Sequence, residues 1–316
     1  MKELLYLQPV FKQMIWGGNR MAKEYGYQIP GDDTGECWAI SAHPNGDGRI
    51  LGGTYDGWTL SRLFAEHREL FGNSNEEVFP LLVKIIDARS DLSIQVHPDD
   101  SYAAKHENGA LGKTECWYIL DCDEDAVIVI GHNAKSKEDL RQMIEENRWE
   151  ELIRVRPIKK GDFFQINPGT VHAIKAGTLI LETQQSSDVT YRLYDYGRLQ
   201  NGKPRELHIE KSIDVITCPH EEQNEGKAVF RRGDAATERL VSCGYYTVEK
   251  TELSGTAAFD TNGIYRLCSI IEGEGIVDGR EVKKGDHFIL PSGYGTYVLT
   301  GKMTFISSYA EEAAHE

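Results

Sequence analysis

The residues best suited to chemistry fall in three short stretches. Asp91-Leu-Ser-Ile-Gln-Val-His-Pro-Asp99 has strand character, and alternation places Ser93, Gln95 and His97 on one face, opposite Leu92, Ile94 and Val96. Lys113-Thr-Glu115-Cys-Trp117-Tyr-Ile119 puts Lys113 and Glu115 on the face of Trp117 and Ile119. In Pro168-Gly-Thr-Val-His172-Ala-Ile174, His172 shares a face with Thr170 and Ile174. A polar row on an ordinary half-buried strand faces water, whereas these potential ligands stand beside residues that point inward. Gln95 and His97 are roughly 7 Å apart along one strand face, close enough for two long side chains to converge on one ion. With Glu115 and His172 they form a nitrogen and oxygen ligand set suited to Zn²⁺ and compatible with Mn²⁺, Fe²⁺ or Co²⁺. No thiolate lies at matching spacing, which favours open coordination with a water over a closed cysteine site.

These ligands need short strands to position them, and the sequence supplies mostly strands. Leu4–Phe11, broken by Pro9, reads as an edge strand, Trp16-Gly-Gly-Asn19 as a turn, Gly35–Ser41 as a strand, and Phe79–Ile86 as a buried strand carrying Lys84. Helical spacing is present over Thr59–Phe71 and Glu206–Ile216. Residues 136–154 read as a small helical insertion with Ser136 as its N-cap. Further strands are expected over Thr114–Leu120, Ala126–Ile130, Leu179–Glu182 and Thr190–Tyr194. Cys218–Lys227 is polar and reads as a linker, and Glu311–Glu316 as a frayed end.

Lys159-Lys-Gly-Asp-Phe-Phe-Gln-Ile-Asn-Pro-Gly169 aligns without gaps to Lys283-Lys-Gly-Asp-His-Phe-Ile-Leu-Pro-Ser-Gly293. Gly-Asp supplies a turn, the apolar residues a strand, and the Pro/Gly pair the next turn. The second copy has Thr296 where the first has His172. The expected fold is therefore mainly β, a bicupin of two jelly-roll-like barrels with a small helical insertion. Its metal-binding domain spans residues 1–220, and the C-terminal cupin, residues 221–316, has no metal ligands.

The chain has 316 residues and a formal net charge of −15, which disfavours nucleic acid and anionic membrane surfaces as partners. No apolar run approaches the roughly 20 residues needed to span a bilayer, and the N-terminus has no signal-peptide character. Six scattered cysteines without a Cys-x-x-Cys pair suggest reduced thiols in a cytoplasmic protein. His43, His67 and His132 read as packing or surface residues, His287 lacks ligand partners in the second repeat, and Glu36 is left unassigned. Oligomeric state is not encoded in any of these patterns.

A further polar stretch, Leu181-Glu-Thr-Gln-Gln-Ser-Ser-Asp-Val-Thr-Tyr-Arg192-Leu-Tyr-Asp195, carries Arg192 either to a surface pair with Asp195 or Glu182 or toward the metal. With this stretch in hand, Ser-Ile-Gln-Val-His-Pro-Asp (93–99), Lys113-x-Glu115, Pro-Gly-Thr-Val-His-Ala (168–173) and Ser-Ser-Asp-Val-Thr-Tyr-Arg-Leu-Tyr-Asp (186–195) jointly resemble the type I mannose-6-phosphate isomerases, most closely the short bacterial form. The resemblance implies a zinc-dependent cupin interconverting mannose 6-phosphate and fructose 6-phosphate. It implies metal ligands Gln95, His97, Glu115 and His172, a catalytic arginine at Arg192, and substrate contacts from Lys113, Lys84 and Ser93. This chain has Lys113-Thr-Glu115 where longer members have Lys-Pro-Glu.

Such an isomerisation moves a proton between two carbons and another between their oxygens. A metal stabilises the enediolate, and a partly desolvated lysine, whose pKa burial lowers, suits the carbon-bound proton. Lys113 is the expected shuttle, with Glu182 the alternative, and Arg192 steadies charge on oxygen. Lys84 and Ser93 are the expected phosphate contacts, with Arg198 or Lys203 as outlying cations. Two other classes compete. An Fe²⁺ cupin dioxygenase would consume O₂, and a non-catalytic sugar-phosphate sensor would bind without turnover.

Overall fold

Three strands rich in apolar residues, Leu81–Ala88, Thr178–Gln185 and Glu115–Cys122, form the centre of a six-stranded antiparallel sheet. Its order is Phe163–Ile166, Glu115–Cys122, Thr178–Gln185, Leu81–Ala88, Val10–Gly18, Thr34–Ile40. Every residue of Leu81–Ala88 and Thr178–Gln185 is buried, because both faces of this sheet are covered. One face packs Ile86, Trp117, Ile119 and Ile180 against Ile128 and Ile174 of a five-stranded sheet. That second sheet runs Tyr191–Tyr194, Ile94–Val96, His172–Ile174, Val127–His132, Ile153–Pro157. The other face packs Val83, Ile85 and Leu181 against the helix Leu60–Glu66 and against Tyr246, Leu267 and Ile289 of the C-terminal half. Residues 2–222 and 228–310 are described by this computed structural model. The expected linker therefore lies partly, and the expected frayed end wholly, outside the described residues.

The helical insertion is two helices, Lys137–Glu145 and Trp149–Leu152, which bury Leu140, Met143, Ile144 and Leu152 against the outer face of the five-stranded sheet. Ser136 accepts from the Asp139 amide at 3.2 Å, a cap worth about 1 kcal/mol. The insertion ends in an unforeseen strand, Ile153–Pro157, which pairs with Val127–His132. Trp16-Gly-Gly, expected as a turn, continues the strand Val10–Gly18 instead. A Cβ at Gly17 would lie 2.3 Å from the Asp33 carbonyl oxygen, so the glycine is there for close backbone approach rather than for reversal.

The C-terminal half forms a nine-stranded sheet, built on Tyr246–Asp260, Thr296–Ala310 and Arg266–Val277. None of the sheets closes on itself, so the architecture is one of packed sheets rather than closed barrels. The N-terminal strand Leu5–Gln8 crosses to the C-terminal sheet, pairing Leu5 with Ile289, and Arg49–Leu51 joins it there. The internal repeat is reproduced bond for bond. Gly161 and Gly285 have φ of 91° and 94°, which only glycine adopts without strain. Asp162 and Asp286 accept from the amides of Lys159 and Lys283 at 2.9 and 2.8 Å. Gly161 and Gly285 each donate at 2.9 Å, to the carbonyls of Ile119 and Ile270.

His287 ties the N-terminal segment to this half. Tyr27 spends its hydroxyl proton on the Gly285 carbonyl at 2.7 Å, so its oxygen accepts from His287 Nε2 at 2.9 Å. Nδ1 then accepts from Ser269 Oγ at 2.8 Å, and the ring is neutral. Burial lowers the imidazole to about 4. A depressed native value means the unfolded chain takes up the proton first, so stability is fully present above 6.5 and is lost as pH falls toward 4. This group alone should account for roughly 3 kcal/mol of that loss. Urea unfolding at pH 7 and pH 4.5 should therefore show a shallower pH dependence for His287→Gln; an unchanged slope contradicts the assignment.

Candidate active site

The two facing sheets bring the chemical residues together from separate strands. On one sheet His172 pairs in register with Gln95, and Gln95 with Arg192, so the three form a cross-strand row. On the other, Trp117 pairs with Glu182 and Glu182 with Lys84, a second row two residue pairs along from Glu115. His97 follows the strand Ile94–Val96, and its carbonyl accepts from the Gly169 amide at 2.9 Å, fixing it beside the His172 loop.

His97, Glu115 and His172 are each no more than 1% exposed, and their ligand atoms all lie within 4.8 Å of one another. Their donor orientation follows from hydrogen bonding. A carbonyl only accepts, so His97 Nδ1–H donates to Val189 O at 2.9 Å and His172 Nδ1–H to Thr170 O at 2.8 Å. Each ring then turns an Nε2 lone pair inward, and these two atoms are 3.1 Å apart. Two lone pairs at that separation repel unless a cation stands against both. Burial, then the nearby Lys113 ammonium, pushes the His97 imidazole well below its ordinary value. Burial lowers His172 too, against the pull of Glu115. Burial alone would raise the Glu115 carboxyl, but Lys113 and His172 hold it below the usual range.

Both Glu115 oxygens are buried; Oε2 is ion-paired with Lys113 Nζ at 2.8 Å, and Oε1 has no hydrogen-bond partner. Oε1 lies 3.4 Å from His172 Nε2, and Oε2 lies 3.5 Å from His97 Nε2. A tetrahedral ion with bonds of about 2.0–2.1 Å has donor–donor edges of roughly 3.3 Å. The two ring nitrogens are 3.1 Å apart and each has one Glu115 oxygen at 3.4 or 3.5 Å, separations close to such edges, so the residues fit a small divalent metal. Gln95 Nε2 is 3.2 Å from His172 Nε2; turning the amide over would aim its oxygen at the same point.

Lys113 Nζ is 2.8 Å from Glu115 Oε2 and 3.2 Å from His97 Nε2, and 3.8 Å from Glu182 Oε1. Glu182 also meets Lys84 Nζ at 2.9 Å and accepts from Trp117 Nε1 at 3.0 Å. Burial would lower Lys84, yet Glu182, Glu36 and Glu115 together hold it above its ordinary value. Beside this cluster opens a cleft of about 560 Å³, lined among others by Lys84, Ser93, Gln95, Lys113, Glu182 and Arg192. Arg192 donates to the Glu206 carbonyl at 2.8 Å and leaves Nε buried without a partner. Its expected surface partner Asp195 is held instead by Arg198 and Arg205. Arg198 is thereby engaged, and Lys203 lies exposed on a two-stranded hairpin.

The far wall of the cleft was missed from sequence. Trp38 Nε1 donates to Glu36 Oε2 at 2.7 Å, Lys12 stacks 4.9 Å over Trp38, and Asn45 donates to Asp188 at 2.6 Å. Strand alternation in Gly35–Ser41 already put Glu36 and Trp38 on one face, which was the available signal. Lys12 and Asn45 carried none.

Residues 4–124 match the family described as phosphomannose isomerase type I, catalytic domain, and residues 236–310 match mannose-6-phosphate isomerase, cupin domain. The chain is 51% identical to mannose-6-phosphate isomerase ManA of Bacillus subtilis (strain 168), covering 97% of this chain and 99% of the relative. It belongs to the type I phosphomannose isomerases. A second family member, mannose-6-phosphate isomerase of Streptococcus mutans serotype c, is 50% identical over 99% of this chain and all of its own length. The crystal structure of mannose 6-phosphate isomerase from Bacillus subtilis superposes with a TM-score of 0.95 at 46% identity, covering 96% of this chain and 99% of that one.

Proposed function

We propose that this chain interconverts mannose 6-phosphate and fructose 6-phosphate, with one Zn²⁺ held by His97, Glu115 and His172 and by the Gln95 amide oxygen. The reading rests on one observation: two buried imidazole lone pairs and a buried carboxylate converge at separations suited to a single ion. A bound zinc supplies Lewis-acid stabilisation of negative charge on the sugar oxygens.

The other side chains handle protons and charge. In the forward direction the C2 proton leaves, an enediolate forms, and a proton returns to C1 while another moves from O2 to O1. Lys113 carries the carbon-bound proton, with Glu182, 3.8 Å away, as the group able to exchange it. Arg192, with its unspent Nε–H, stabilises charge developing on oxygen. Lys84 and Ser93 line the cleft and meet the phosphorylated end. The two halves are read as tandem cupins divided near residue 220, the second without metal ligands. No helix among the described residues is long and apolar enough to cross a membrane, and the cysteines are free thiols, in keeping with a cytoplasmic enzyme.

Incubation with mannose 6-phosphate should yield fructose 6-phosphate. Exhaustive chelation should abolish this and added Zn²⁺ restore it. Free mannose should react far more slowly. Undiminished turnover after metal removal would refute the metal-dependent reading, and equal kcat/KM on both sugars would remove Lys84 and Ser93 from phosphate recognition.

A further inference from the structure

The C-terminal half holds a counterpart of the catalytic cleft with its charges exchanged. Strand register fixes the correspondence. Phe163–Ile166 and His287–Leu290 are equivalent by the repeat, so Glu115, opposite Ile166, corresponds to Arg266, opposite Leu290. The catalytic row Trp117–Glu182–Lys84–Trp38 corresponds in the same way to Cys268–Ser307–Glu249–Arg239. An acid has become a base at the Glu115 position, and a base has become an acid at the Lys84 position. Among the described residues the only cluster able to hold a metal is that of His97, Glu115 and His172.

A cavity of about 140 Å³ opens at this second site, lined by Arg232, Arg239, Arg266, Glu249, Ser307 and Tyr297 among others. One carboxylate serves two guanidinium groups: Glu249 meets Arg266 Nη1 at 3.0 Å, while Arg239 Nε lies 4.0 Å off. Arg239 Nε is buried without a hydrogen-bond partner. The other acid on the wall, Asp260, already accepts from the Asn262 amide at 2.6 Å and Thr296 Oγ1 at 2.8 Å. Three guanidinium groups face two carboxylates on this wall, leaving one positive charge in local excess within a chain of formal net charge −15. Guanidinium groups converging on a concave site are the usual recognition device for phosphate oxygens. The volume is below the roughly 300 Å³ of pockets that enclose larger ligands, so it suits an oxyanion and excludes a whole hexose phosphate.

We infer that the cleft between Arg239, Arg266 and Arg232 is a second ligand site, for a phosphate-sized tetrahedral oxyanion, supplied either as free phosphate or as the head of a small phosphomonoester. The inference stands on the repeat and the cavity and does not rest on the isomerase reading. Calorimetric titration of the full chain tests it, with inorganic phosphate in one arm and glycerol 3-phosphate in the other; the arm with tighter binding names the source. Arg239→Gln should bind one equivalent fewer than the wild type in that arm, with kcat and KM for mannose 6-phosphate unchanged. Arg232 is exposed and tolerates change, so Arg232→Gln serves if Arg239→Gln misfolds, and should weaken the same equivalent at least threefold. Wild-type stoichiometry and affinity in both variants, or no equivalent beyond the catalytic cleft in the wild type, overturns the proposal.

Discussion

Lys113→Met should lower turnover of mannose 6-phosphate by about 10²–10⁴-fold, the usual span for losing a general acid–base group, and should leave bound metal near one equivalent. Methionine keeps the length and apolar stem of lysine while removing the amine. The lost ammonium is a cation standing 2.8 Å from Glu115 and 3.2 Å from His97. Its removal takes a competitor away from the ligand atoms, so metal retention should not fall. Metal analysis beside the rate measurement separates the two roles: turnover and metal lost together would make Lys113 a support for the ligand cluster rather than a proton carrier. Glu182→Gln is the natural comparison. If it costs more than Lys113→Met with metal intact, the carbon-bound proton belongs to Glu182.

His172→Ala should reduce turnover to that of chelated wild type and weaken zinc binding by more than about 100-fold, since even losing a group that only hydrogen-bonds to a metal ligand costs about 10–100-fold. The ring supplies one of three buried donors, and its Nδ1–H, anchored on Thr170 O at 2.8 Å, aims Nε2 at the other two. Inductively coupled plasma analysis after dialysis against a metal buffer checks the claim. Wild-type zinc affinity in this variant would show that the ion sits elsewhere.

Much of this site could be read along the chain, because strand alternation is a local property. Ser93, Gln95 and His97 on one face, and Glu115 beside Trp117, follow from a period of two, and the Gly-Asp repeat announced itself through turn residues. What escaped was set by pairing between distant strands. Nothing in the local pattern places Arg192 opposite Gln95 or Lys84 opposite Glu182. The indole of Trp117, read from sequence only as pointing inward, also holds Glu182 through its N–H. Asp195 was a sensible partner for Arg192 in sequence, but Arg205, ten residues on, reaches it instead. Gly17 and Gly18 imitate a turn because glycine serves close approach and reversal alike. The crossing of Leu5–Gln8 into the C-terminal sheet is likewise invisible to local pattern, since either half could have covered that strand's apolar side.

Crystals grown with zinc and measured on both sides of the zinc absorption edge would address the ligand assignment most directly. The expected anomalous map has one strong peak per chain, about 2.0–2.2 Å from His97 Nε2, His172 Nε2 and a Glu115 oxygen. A peak at another site in an active enzyme, or none, would contradict it.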